Sequence, residues 1–107
     1  MPNRSEQLRS LVELLRQLTS ILREIHGCRW TAHFQSCLAT AEYLDAVGFA
    51  QSDLNELASR VGSVYGGSGS FNDYVPFHEG QELMNKVDAL RTKVADNATE
   101  LRVISRH

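Results

Sequence analysis

His26, Cys28, His33 and Cys37 are the residues whose types and spacing come nearest to chemistry. Zinc takes imidazole nitrogen and thiolate sulfur, and His33 and Cys37 stand four apart, the spacing that puts two ligands on one helical face. The set matches no standard zinc module. Cys37 also falls in an apolar stripe with Trp30, Phe34, Leu38 and Ala41, where a free cysteine serves as a small hydrophobe, so no metal is expected. If most of the stretch between the cysteines is helical, their Cα atoms lie about 13 Å apart, beyond disulfide reach, so both thiols are expected to be reduced.

A second group lies further along. Asp73, His78 and Glu79 could be written as an acid–base set, but loop carboxylates and imidazoles are usually exposed and titrate normally. The run from Gly66 to Ser70 lacks both the fifth-position glycine and the lead-in strand of a nucleophile elbow. It also lacks the Gly-Lys-Ser/Thr of a phosphate-cradling loop. A local role fits better. Ser70 and Asp73 have the Ser-x-x-Asp spacing of a capping box, which predicts a single helical turn opened by Ser70 and closed by Pro76, with Asn72 and Asp73 tying loop backbone to the rest. No catalytic residue and no cofactor are expected.

The elements that must position these residues are helices. Leu8, Leu11, Leu15, Leu18, Leu22 and Ile25 alternate spacings of three and four, which predicts a first helix from about Ser5, its N-cap, to His26, with Gly27 as the residue that ends it. Glu6 and Glu13 stand three residues before Arg9 and Arg16, a spacing for weak surface pairs. A second helix is expected from Arg29 to Val47, stopped by Gly48. A third, capped by Ser52 or Asp53, should bury Leu54, Leu57, Ala58, Val61 and Val64 and end at Tyr65. Gly66 to Gly80 has neither helical periodicity nor helix-compatible composition, so it reads as a long loop, ordered because Phe71, Tyr74, Val75 and Phe77 would not all be left in water. The last helix runs from Gln81 to Ile104 with Leu83, Val87, Leu90, Val94, Ala98 and Leu101 on one face, and should pack on the first.

The expected fold is therefore all-α: one domain, residues 1–107, built as a compact four-helix bundle with a long structured loop between helices three and four. At 42% hydrophobic and 22% charged residues the chain can bury a single core. A net charge of -2 argues against nucleic acid. The charge is uneven: from Trp30 to Glu82 seven acidic residues face Arg60 alone, while both flanks are net basic. Such an acidic middle either steers a basic partner or complements the flanks within one bundle. No secretory leader and no apolar run long enough to span a membrane is evident, so the expected location is cytoplasmic.

From Tyr65 the chain reads Tyr-Gly-Gly-Ser-Gly-Ser-Phe-Asn-Asp, ending at Asp73, and upstream it has His26-Gly27, Trp30 and a leucine-alanine helix over Leu38 to Leu44. In these residues it resembles an uncharacterised family of short bacterial helical proteins with the signature Gly-Gly-x-Gly-Ser-Phe/Leu-Asn-Asp after a helix ending in an aromatic. The likeness spans Ile25 to Leu90. The family often has methionine where this chain has Ser68, and an aliphatic run where it has Tyr74, Val75 and Pro76. The resemblance implies no catalytic activity; proteins of this look include candidate immunity proteins that neutralise toxins.

The function expected is a non-enzymatic protein-binding module, most concretely an immunity protein facing a basic toxin domain. The residues expected to carry binding are Asp53, Glu56, Asp73, Tyr74, Phe77 and Glu79, as acidic rim and aromatic anchors. The loop aromatics equally suit a second role, plugging the end of the core. The alternative function is a structural or regulatory homo-oligomer, a homodimer in its simplest form, built through the apolar seams of the first and last helices.

Overall fold

The structure, a computed structural model, describes residues 3–25, 27–65, 71 and 80–102. It contains four helices: α1 (Arg4–Glu24), α2 (Thr31–Val47), α3 (Gln51–Gly62) and α4 (Gln81–Leu101), with no strand among the described residues.

The ends of the helices show which local interactions decided them. Asn3, not Ser5, caps α1: its side-chain oxygen accepts the Glu6 N–H at 2.8 Å. Asparagine is at least as good a cap as serine, and the earlier cap adds Arg4 and Ser5 to the first turn. The helix stops at Glu24, two residues before His26, because Ile25 turns to extended backbone so that its side chain drops into the core. Gly27, at φ 75°, turns the connection after the helix has already ended.

Helix α2 begins at Thr31 rather than Arg29, with Thr31 Oγ1 donating to the Leu22 carbonyl at the end of α1 at 3.3 Å. Gly48 does terminate it, at φ 103°. Helix α3 starts at Gln51 with Ala50 as N-cap, so neither Ser52 nor Asp53 occupies the cap. Asp53 instead sits three residues inside and accepts the Ala50 N–H at 2.8 Å, which satisfies the same end from the other direction. Helix α3 ends at Gly62, short of Tyr65, and α4 ends at Leu101, three residues before Ile104.

Neighbouring helices run antiparallel around a closed ring. The Arg4 guanidinium donates to the Glu100 carbonyl and Asn97 Nδ2 to Ser10 Oγ, which sets the start of α1 beside the end of α4. Arg9 and Arg16 reach Asp45 and Glu42 of α2 at 3.9 and 2.9 Å. Arg60 donates to Thr40 Oγ1 at 3.2 Å, and Gln51 to the Leu101 carbonyl at 2.8 Å. Helices α1 and α3 each pack on both α2 and α4.

The seams of α1 and α4 meet inside this one chain: Leu8, Leu11, Leu15, Leu18 and Leu22 are fully buried, as are Val87, Val94 and Leu101 opposite them. Burial of one such side chain contributes about 1.5–3 kcal/mol, so these rows carry much of the driving force. These side chains cover one another within the chain. Trp30, Leu38, Val64 and Leu83 lie at the margin of the core, partly buried.

Candidate functional site

Phe71, from the glycine-rich segment, is fully buried in the core. Three aromatic rings surround it: Phe34 at 4.8 Å between centroids, Tyr65 at 5.6 Å and Trp30 at 5.8 Å. The contacts with Tyr65 and Trp30 are edge to face, the arrangement in which a positive ring edge meets a negative face. The Phe71 N–H donates to the Val64 carbonyl at 2.8 Å, and its carbonyl accepts from Arg91 Nη1 at 2.9 Å. Phe71 is thus a core plug.

Arg91 is 8% exposed, a rare place for a guanidinium, and its environment explains how it is held. It pairs with Asp88 one turn earlier on α4, bonds the Phe71 carbonyl, and lies 5.7 Å from the Phe71 ring. Tyr65 closes the cluster by donating its hydroxyl to the Arg91 carbonyl at 2.8 Å. Burial raises the Tyr65 phenol above its ordinary value, so it stays a hydrogen-bond donor. Arg91 escaped the sequence reading. It lies beside Leu90, four residues after Val87, and that place next to an apolar stripe was the only signal.

His33 and Cys37 are together, with Nε2 3.6 Å from Sγ, while the His33 ring packs edge to face on Phe34 at 5.0 Å. Cys37 is fully buried, and burial pushes its thiol up to about 11, with Arg60 acting weakly the other way. Such a thiol is neither a nucleophile nor a ready metal ligand. Burial likewise holds the His33 imidazole below its ordinary value, although the Arg60 and Val61 carbonyls at the end of α3 favour a ring N–H. Cys28 is partly buried and both cysteines are free. His26 lies outside the described residues. Among the described residues no group of three metal-ligating side chains forms.

The remaining candidate is the acidic edge between α2 and α3. Asp53 and Glu56 are exposed on α3 beside a shallow hollow of about 70 Å³ whose lining includes Leu44, Leu57, Thr40 and Arg60. Each carboxylate has a local role as well: Asp53 holds the start of α3, and Glu56 pairs with Arg60 at 3.6 Å. The other acidic residues of α2, Glu42 and Asp45, bond α1 arginines, so part of the acidic middle complements the basic flank within the bundle. Asp73, Tyr74, Phe77 and Glu79, with the helical turn expected from Ser70, lie outside the described residues.

A wider groove of about 400 Å³ runs between α3 and α4 over Ala58, Gly62, Ala95 and Ala98. Its polar groups include Arg102, which donates to Ser59 Oγ at 2.6 Å across it.

A family model for a domain of unknown function, DUF6966, matches residues 23–84. The chain belongs to this family. The DUF6966 match takes in α2, α3 and the first residues of α4, and with them Trp30, Phe34, Tyr65 and Phe71. Arg91, which grips the plug, lies beyond it, as do Arg9 and Arg16. No curated protein and no solved structure matches the chain. No helix among the described residues is long and apolar enough to cross a membrane.

Proposed function

We propose that this DUF6966 chain is a non-enzymatic protein-binding module of the bacterial cytoplasm, most concretely an immunity protein that covers a basic site on a toxin domain. The observation that carries this reading is the acidic edge of α3. Asp53 and Glu56 stand exposed beside a small hollow shared with Thr40 and Arg60 and floored by the buried Leu44 and Leu57. A lysine or arginine from a partner would set its charged head beside the two carboxylates, taking the place of Arg60 on Glu56, with its aliphatic stem along the rim of the hollow. Among the described residues Cys37, the thiol beside the His33 imidazole, is sealed from solvent and protonated, which supports a binding role over catalysis.

The test uses a tagged chain in the native host and its Glu56→Lys variant, which alters an exposed side chain that is 77% accessible. Mass spectrometry of the captured material should show one stoichiometric, basic companion with the parent chain and none with the variant. Expression of that companion alone should arrest growth, and co-expression of the parent chain should restore it. Equal capture by both proteins, or a companion harmless on its own, would remove the immunity reading.

A further inference from the structure

The outward face of α2 is unlike that of any other helix in the bundle. Helix α1 presents Arg9, Glu13, Arg16, Arg23 and Glu24 to solvent, α3 presents Asp53, Glu56 and Arg60, and α4 presents Glu82, Lys86, Lys93, Asp96 and Glu100. On α2 the side opposite the buried Phe34, Cys37, Ala41 and Leu44 carries Ala32, Ser36, Ala39, Tyr43, Ala46 and Val47, all exposed and none charged. Tyr43 and Val47 are 64% and 63% exposed and are the two large apolar side chains left in water among the described residues. They stand four apart, one above the other on the helix. A helix that is apolar on both sides belongs between two layers, and this one has a layer on one side only.

We propose that a second copy of this chain covers that face, with the two α2 helices packed antiparallel about a two-fold axis near Ala39. Size complementarity within the face itself supports this occupant. The bulky groups, Tyr43 and Val47, are at the C-terminal end and the small ones, Ala32 and Ser36, at the N-terminal end. An antiparallel pairing centred on Ala39 sets Tyr43 over Gln35 and Ser36 of the second copy, and Ala46 and Val47 over Thr31 and Ala32. Large side chains then meet small ones at both ends, and the surface is self-complementary as a two-fold interface must be.

Charge points the same way. Arg29, exposed and stacked 4.7 Å from the Trp30 ring, precedes the helix, while the negative end of the α2 dipole lies at the other. Antiparallel pairing brings each Arg29 to the negative end of the facing helix. A parallel pairing would set Arg29 against Arg29 and Tyr43 against Tyr43. The uncharged strip between the ends makes no like-charge contact with itself.

The size of the face sets the strength. Seventeen residues make a helix about 26 Å long, and one such face on another covers less than the roughly 1,200 Å² that stable interfaces bury. The pairing is therefore reversible and shows itself at high concentration. It does not use Asp53 or Glu56, the carboxylates of the proposed binding edge, which stand on α3.

Sedimentation equilibrium of the chain from micromolar to millimolar concentration tests it, with Ala39→Glu as the variant. The parent should pass from monomer to dimer across this range. Ala39→Glu should remain monomeric with an unchanged circular dichroism spectrum and melting curve, because Ala39 is exposed in the free bundle. Cysteine pairing in a Cys28→Ser background reads the direction: Ala39→Cys should cross-link with itself, and Val47→Cys with Ala32→Cys but not with itself. A parent that stays monomeric at millimolar concentration, a dimer that survives Ala39→Glu, or self-linking of Val47→Cys would each overturn the proposal.

Discussion

Arg91 holds Phe71 at two points: one guanidinium nitrogen donates to the Phe71 carbonyl at 2.9 Å, and the charged plane lies 5.7 Å from the centre of its ring. The pair joins α4 to a buried residue that lies between α3 and α4 along the chain. Removal of either partner should therefore loosen the whole end of the bundle. Phe71→Ala should cost about 3–5 kcal/mol, the range for a buried phenylalanine that leaves a cavity. Arg91→Ala, which removes a charged donor from a buried carbonyl, should cost about 1–3 kcal/mol. Urea unfolding measures both, with Tyr43→Ala as an exposed control expected within about 0.5 kcal/mol of the parent. A Phe71→Ala protein as stable as that control would mean that the ring is not a plug.

The two thiols should be distinguishable in the folded protein. Cys37 is fully buried with its thiol pushed up to about 11, whereas Cys28 is partly open to solvent. At pH 8 a small thiol reagent should titrate one cysteine in native buffer and two in urea, because only unfolding returns Cys37 to an ordinary thiol. A Cys28→Ser variant should then show almost no native labelling. Fast reaction of Cys37 in that variant would contradict the sealed site.

His33 adds a pH dependence whose sign follows from its burial. The folded state lowers its pKa below the ordinary 6.5, so the unfolded chain takes up the proton first. Its contribution to stability is fully present above pH 6.5 and is lost as pH falls from there through the folded value. The groups facing the ring are Cys37 on its own helix and, from α3, Arg60 with the Arg60 and Val61 carbonyls. Urea midpoints measured between pH 7.5 and 5 should fall less for His33→Gln than for the parent. Parallel curves would show that the ring is equally protonated in both states.

The helices were legible because their apolar residues recur every three or four positions, and α1 and α4 follow that rhythm along their whole length. Their ends were less so. Asn3 outcompetes Ser5 because asparagine caps at least as well as serine, whereas Ile25 leaves the helix for the core, an outcome that depends on tertiary space no local spacing encodes. The buried role of Cys37 could be read from its stripe, and its neighbour His33 from the four-residue spacing. Arg91 could not, since a charge beside an apolar stripe is as often a solvated edge as a clamp. The acidic middle was visible as composition, but its partial neutralisation by Arg9 and Arg16 needs the antiparallel register of α1 on α2. The uncharged outer face of α2 was hidden by its own alanines, which read as helix formers rather than as surface.

Two glycines on neighbouring helices should respond to alanine in opposite directions, and the reason is backbone rather than space. A Cβ would meet nothing within 4 Å at either Gly48 or Gly62. Gly48, however, ends α2 at φ 103°, a conformation that L side chains rarely adopt, so Gly48→Ala should destabilise by about 1–2 kcal/mol. Gly62 is the last residue of α3, where alanine keeps the same helical backbone and restricts the unfolded chain. Gly62→Ala should stabilise by up to about 1 kcal/mol. Thermal unfolding of the two variants under one condition compares them directly. Because the space is open in both cases, a loss of stability at Gly62 would have to come from the backbone, and would show that α3 does not end in helical geometry.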